Sequence, residues 1–205
     1  MNNNPYIYII FIRALTGIGR FARLFSDYPY THIAVSLDSR MEDFVTFSRR
    51  THYNPFDAGF MHEKREHYAF GKNEKVQVKI VRIPVSDEAF RDVLKYVDEI
   101  EKDDEYIFNL YSMATMSMIH GIPIHKALNC MSFTARVLEL SQGVVLDRPY
   151  YKYDISELDS LTSCYPSRTG YLVKHKDDAD YMKKAGLGKL IRSFIRINVN
   201  LLRRL

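Results

Sequence analysis

At 205 residues, with 46% apolar and 13% aromatic side chains, the chain can bury one substantial core, which excludes a disordered or fibrous polypeptide. The net charge of +4 is unevenly spread. From Lys183 onward there are seven Lys or Arg and no acid, so residues 1–182 carry −3, a near-neutral body that, without any RNA- or DNA-binding signature, excludes a nucleic-acid-binding fold.

Residues 6–13 (YIYIIFIR) are β-branched and aromatic and predict a strand. The run is much shorter than the ~20 residues that span a bilayer, and no signal-peptide pattern accompanies it. Gly17 and Gly19 end it, and Ile18, Phe21, Ala22 and Phe25 share one face of a short predicted helix up to the Asp27-Tyr28-Pro29 turn.

Residues 31–38 alternate, with Ile33, Val35 and Leu37 on one face and His32, Ala34 and Ser36 on the other. Residues 44–48 predict a hairpin partner that presents Thr46 and Ser48 on one side. Residues 49–75 contain Asn54-Pro55, Gly59 and Gly71-Lys72-Asn73, and are expected to form a long site-shaping loop.

A strand over 76–83 stops at Pro84, and Ser86 caps a helix with Asp87 and Glu88 in its first turn and Phe90, Val93, Leu94, Val97 and Ile100 facing inward. A Met-rich helix over 106–120 ends at Gly121-Ile122-Pro123, its methionines expected as core filler. Asn129 caps a helix over 130–141, with Phe133, Val137 and Leu138 as its apolar stripe, which makes Cys130 its first residue. A turn of helix at 155–161 and a strand at 170–174 follow. The basic tail is amphipathic: Leu187, Leu190, Ile191, Phe194, Ile195, Leu201, Leu202 and Leu205 oppose Lys189, Arg192, Arg196, Arg203 and Arg204. Residues 1–182 are expected as one domain and 183–205 as an appended helix.

Two cysteines, Cys130 and Cys164, are too few for a disulfide scaffold and suit a reducing, cytoplasmic compartment. A cysteine that opens a helix lies against unsatisfied N–H groups, which stabilise a thiolate and can bind an oxyanion. His32 is the matching base, because small Ala34 and Ser36 on its face leave room for the Cys130 helix to pack there. The third, orienting group is expected at Thr46, with Ser48 and Asp38 as competitors. Cys164 has no capping partner and is expected as structural.

His62 and His67 are five residues apart, not the i, i+4 spacing of a zinc helix, so residues 62–67 read as a solvated charged loop. His120 and His125 read as structural or surface residues. No P-loop, dinucleotide fingerprint or G-x-S-x-G elbow occurs, and no cofactor or metal is expected.

The stretches Tyr30-Thr31-His32-Ile33-Ala34-Val35-Ser36-Leu37-Asp38 and Asn129-Cys130-Met131-Ser132-Phe133-Thr134-Ala135-Arg136-Val137-Leu138 resemble the histidine strand and cysteine helix of the circularly permuted papain-like superfamily, with its YiiX-like, lecithin retinol acyltransferase-like and NlpC-type relatives. Asn54-Pro55-Phe56, Gly59-Phe60 and the opening strand Tyr6 to Arg13 are similar to a bacterial group of this type. The likeness covers roughly the first three-quarters of the chain. It implies an α+β papain-like fold, with the cysteine helix on an antiparallel sheet, and hydrolysis or acyl transfer on a peptide, isopeptide or lipid-linked amide or ester through an acyl-thioester. Cys130 matches the nucleophile and His32 the base, whereas Thr46 departs from the His or Glu often found third. That departure also supports an alternative, a catalytically silent papain-like module that binds a ligand or partner. The tail is expected either to lie on an anionic membrane, each basic residue adding about 1 kcal/mol near the surface, or to pack on the domain or a second subunit.

Overall fold

The strand β1 (Tyr6–Ile12) sits in the middle of a sheet and is buried on both faces, which accounts for its unbroken apolar run. In the computed structural model, which describes residues 4–14 and 28–205, β1 pairs on one side with β2 (His32–Ser36) and on the other with β5 (Lys75–Pro84). Ile9 lies opposite Val35 and Val81. The predicted helix over residues 18–25 lies outside the described residues.

Beyond β2 come β3 (Phe44–Thr51) and then β4 (Asn54–Glu63), and beyond β5 comes β8 (Ser167–Val173), giving the order β4-β3-β2-β1-β5-β8 with every neighbour antiparallel. The expected hairpin is present, with Val35 opposite Val45. The expected loop over residues 49–75 is not: residues 54–63 form a ten-residue strand paired to β3. Pro55 and Gly59 are tolerated because β4 is an edge strand, whose outer side needs no ladder donors.

Five α-helices are described: α1 (Asp87–Lys102), α2 (Leu110–Ile119), α3 (Cys130–Leu140), α4 (Ile155–Leu161) and α5 (Leu187–Leu202). Ser86 caps α1 by accepting from the Ala89 amide. Ala89, Val93, Val97 and Ile100 form its buried face, whereas Leu94 is exposed. The Met-rich helix begins four residues later than predicted. Residues 107–108 (β6) pair in parallel with 127–128 (β7), and Asn109 caps α2 through the Ser112 amide. Met116 joins the core, but Met118 is exposed. His120 closes α2 in the left-handed conformation (φ 51°).

The sheet separates two apolar clusters. Ile7, Ile9, Phe11, Ile33, Val35, Val45 and Phe47 pack with α1 and α3, and Phe133 of α3 lies 5.7 Å from the Phe47 ring and 5.8 Å from Phe60. Fully burying such a side chain stabilises the fold by about 1.5–3 kcal/mol. The opposite face carries Tyr8, Ile10, Ile12, Ala34 and Phe44, covered by Tyr68 and Ala69. The cysteine helix therefore packs on the Ile33/Val35 face, not on the expected Ala34/Ser36 face.

The tail helix α5 packs against β4. Asn54 Nδ2 donates to Ser193 Oγ at 3.0 Å, Phe56 meets Phe194 edge-on, and Tyr111 donates to Asn198 Oδ1 at 2.8 Å. No helix among the described residues is long and apolar enough to cross a membrane.

Candidate active site

Cys130 is placed by its helix cap. Asn129 Oδ1 accepts from the Ser132 amide at 2.9 Å, and Ser132 Oγ accepts from the Asn129 amide at 2.9 Å, a reciprocal box that fixes where α3 starts. Cys130 is thus the first helical residue, as its sequence context predicts, and it is buried, with 7% of its surface exposed.

His32 opens β2, and the Cys130 side chain lies close enough to the imidazole to act on its charge. The two residues meet where their elements begin, so the pairing does not require α3 to lie on the histidine's own sheet face. The imidazole also meets a carboxylate, with Nε2 2.9 Å from Glu63 Oε2. Glu63 closes β4 and is 3% exposed.

Glu63 is held on both oxygens. Ser48 Oγ donates to Oε1 at 2.6 Å, and the Tyr68 hydroxyl donates to Oε2, the oxygen shared with His32. Three partners satisfy a buried carboxylate that would otherwise be costly to desolvate. The Tyr68 ring lies 5.9 Å from the His32 ring and packs from the side opposite α3.

The electrostatics follow from this cage. Burial alone drags the His32 pKa down, but the Glu63 charge and the hydrogen bonds to Cys130 and Glu63 outweigh it and hold the imidazole up at about 10. Burial pushes the Glu63 carboxyl up, but the His32 charge and the bonds from His32, Ser48 and Tyr68 bring it down to about 2. Burial and the Glu63 charge keep Tyr68 well above its ordinary value, so it remains a neutral donor. At neutral pH the site holds an imidazolium and a carboxylate in contact.

The structure brings Cys130 and His32 together and leaves Thr46 apart. Thr46 is fully buried and its hydroxyl donates to the Ile33 carbonyl at 2.9 Å, so it braces β2 against β3 without reaching the imidazole. Ser48, the competitor, acts one step away through Glu63. Asp38 accepts from the Arg40 amide at 3.0 Å in the turn after β2, near an Arg40 guanidinium.

Residues 62–67 are not a solvated loop. Glu63 and His67 are buried, His67 stacks on Tyr181 with 4.4 Å between centroids, and of the segment's two histidines His62 is the exposed one, 2.7 Å from Asp43. Cys164, expected as structural, is exposed and free. Among the described residues no group of three His, Cys, Asp or Glu can hold a metal ion.

A cleft of about 430 Å³ between β4, α5 and the 104–107 turn is lined by Arg50, Phe56, Asp57, Tyr106 and Arg196 and includes neither Cys130 nor His32. Asp57 there already holds Arg196 at 3.2 Å and Arg50 at 3.7 Å, so both arginines of the cleft are paired.

No family model, curated protein or solved structure matches this chain.

Proposed function

We propose that the protein is a cysteine hydrolase or acyltransferase of permuted papain-like architecture, with Cys130 as nucleophile, His32 as its proton carrier and Glu63 as the group that orients and charges the imidazole. The observation that carries this reading is the buried chain of contacts Cys130–His32–Glu63, which begins at a helix N-terminus and ends on a carboxylate held by two further hydroxyls.

The attacking form is the thiolate, paired with the His32 imidazolium at the start of α3. The sulfur adds to a substrate carbonyl carbon, forming the C–S bond and moving the carbonyl π electrons onto oxygen. Backbone N–H groups at the start of α3 are the available donors to that oxyanion. As the intermediate collapses, the bond to the leaving nitrogen or oxygen breaks and His32 supplies its proton. The acyl-thioester is then released by water or an acceptor nucleophile, which gives its proton to the neutral imidazole. The substrate class is a peptide, isopeptide or lipid-linked amide or ester.

The case for a silent binding module rested on the lack of a strong third residue. Glu63 meets that need, and the catalytic reading is favoured. Its test is competitive alkylation. Iodoacetamide should modify buried Cys130 faster than exposed Cys164, the reverse of the order accessibility dictates, and Cys130→Ala should abolish turnover on acyl substrates. Cys164 reacting first, with no acyl substrate turned over by the wild type, would discard the enzymatic reading.

A further inference from the structure

The faces of α5 are divided into three sectors. At 100° per residue, Ser193, Ile197 and Leu201 point into the domain and are buried. The next sector carries Leu187, Ile191, Ile195, Leu202 and, just past the helix, Leu205, all exposed, with Leu187 at 74% and Leu202 at 61%. The third sector carries Lys189, Arg192, Arg196 and Arg203, which border the apolar residues directly. The helix therefore docks on β4 through one face and leaves a second face whose apolar residues are exposed, interrupted by the half-buried Asn198 that Tyr111 reaches.

Charge says what covers it. Arg196 reaches Asp57, but Lys189, Arg192 and Arg203 have no carboxylate partner among the described residues, and no acid occurs from residue 183 to residue 205. A second copy brought face to face would set two such basic borders beside each other with no acid on either helix to offset them. An anionic lipid surface accepts both sectors at once, with the apolar residues below the headgroups and the basic ones among the phosphates.

We propose that α5 docks the protein peripherally on an anionic bilayer through the Leu187/Ile191/Ile195/Leu202 face. The bonds from Asn54 to Ser193 and from Tyr111 to Asn198 hold the helix on the domain, so docking presents a preformed surface and requires no detachment. The proposal is independent of the chemistry at Cys130.

The test is co-sedimentation of the full chain with phosphatidylcholine vesicles, with and without phosphatidylglycerol. Phosphatidylglycerol should tighten binding by about tenfold or more, and raised salt should weaken it. Ile191→Asp with Ile195→Asp should abolish pelleting without changing the melting temperature, because both side chains are exposed. Arg192→Glu with Arg203→Glu should remove the phosphatidylglycerol preference. Equal binding to both vesicle types, undiminished pelleting of the Ile191→Asp/Ile195→Asp variant, or a dimer in sedimentation velocity that this variant dissociates while neither form binds vesicles, would each overturn it.

Discussion

Ser48 and Glu63 are joined by a 2.6 Å hydrogen bond that engages Oε1 and leaves Oε2 to the imidazole. The carboxylate is thereby fixed in rotation, and His32 is fixed in turn. A hydroxyl three contacts from the sulfur thus helps to set the geometry at the sulfur, which is why the strength of this site lies in its supports as much as in the cysteine and histidine.

Replacing Glu63 separates orientation from folding. Glu63→Gln keeps shape and hydrogen-bonding capacity but removes the charge that holds the imidazolium, so kcat should fall by about 10²–10⁴-fold. Glu63→Ala leaves a buried imidazole without its partner and should cost about 3–5 kcal/mol in urea unfolding. A Gln variant with wild-type kcat would remove Glu63 from the mechanism.

The His32–Glu63 pair gives stability a defined pH window. The folded pKa of Glu63, about 2, is below its ordinary 4.5, so its contribution is present above 4.5 and is lost as pH falls toward 2. The folded pKa of His32, about 10, is above its ordinary 6.5, so its contribution is complete below 6.5 and is lost as pH rises toward 10. The difference in unfolding free energy between wild type and a His32→Gln/Glu63→Gln variant should be flat between about pH 4.5 and 6.5 and decline on both sides. A difference that grows from pH 6.5 to 10 contradicts the assignment.

Thr46 and Tyr68 should respond differently to loss of their hydroxyls. Thr46→Val removes the bond to the Ile33 carbonyl and should cost about 1 kcal/mol with kcat unchanged. Tyr68→Phe removes a donor to the charged Glu63 and should cost about 1.5–3 kcal/mol. It should also move the acid limb of the stability profile to higher pH, because one of the bonds that lowers the Glu63 pKa is gone. Chemical denaturation across pH, read beside steady-state rates, distinguishes the two.

Asn129→Ala removes the cap that defines the start of α3. The expected cost is about 0.5–2 kcal/mol, and alkylation of Cys130 should slow because its N–H environment frays. Asn129→Asp retains the cap acceptor and should recover most of the stability. Thermal melts and alkylation rates on the three proteins give the comparison.

The two ends of the Cys130–His32 contact were legible in the sequence and its third member was not. Asn129 before Cys130 is a local signal, readable because capping acts over three residues, and His32 stands in an alternating strand whose pattern needs no partner to be seen. Glu63 lies in a segment that opens with Asn54-Pro55 and contains Gly59, which local propensity reads as a loop; only the edge position of β4, a tertiary fact, makes those residues compatible with a strand. In sequence, the strand next to His32 is β3, which offers Thr46 and Ser48, whereas the carboxylate comes from the strand beyond. The packing face of α3 differs from the one the sequence suggests for a related reason: small Ala34 makes room not for a helix but for Tyr68 on the other side of the sheet.

The position of β1 bears on how this chain must be made. Its partner β5 is not finished until residue 84, and Phe133, which closes the core over the sheet, arrives later still. During synthesis this strongly apolar strand therefore emerges well before β5, and even once β2 has paired with it, its other edge stays bare. Nascent chains halted before residue 84 should collect as aggregates or on chaperones.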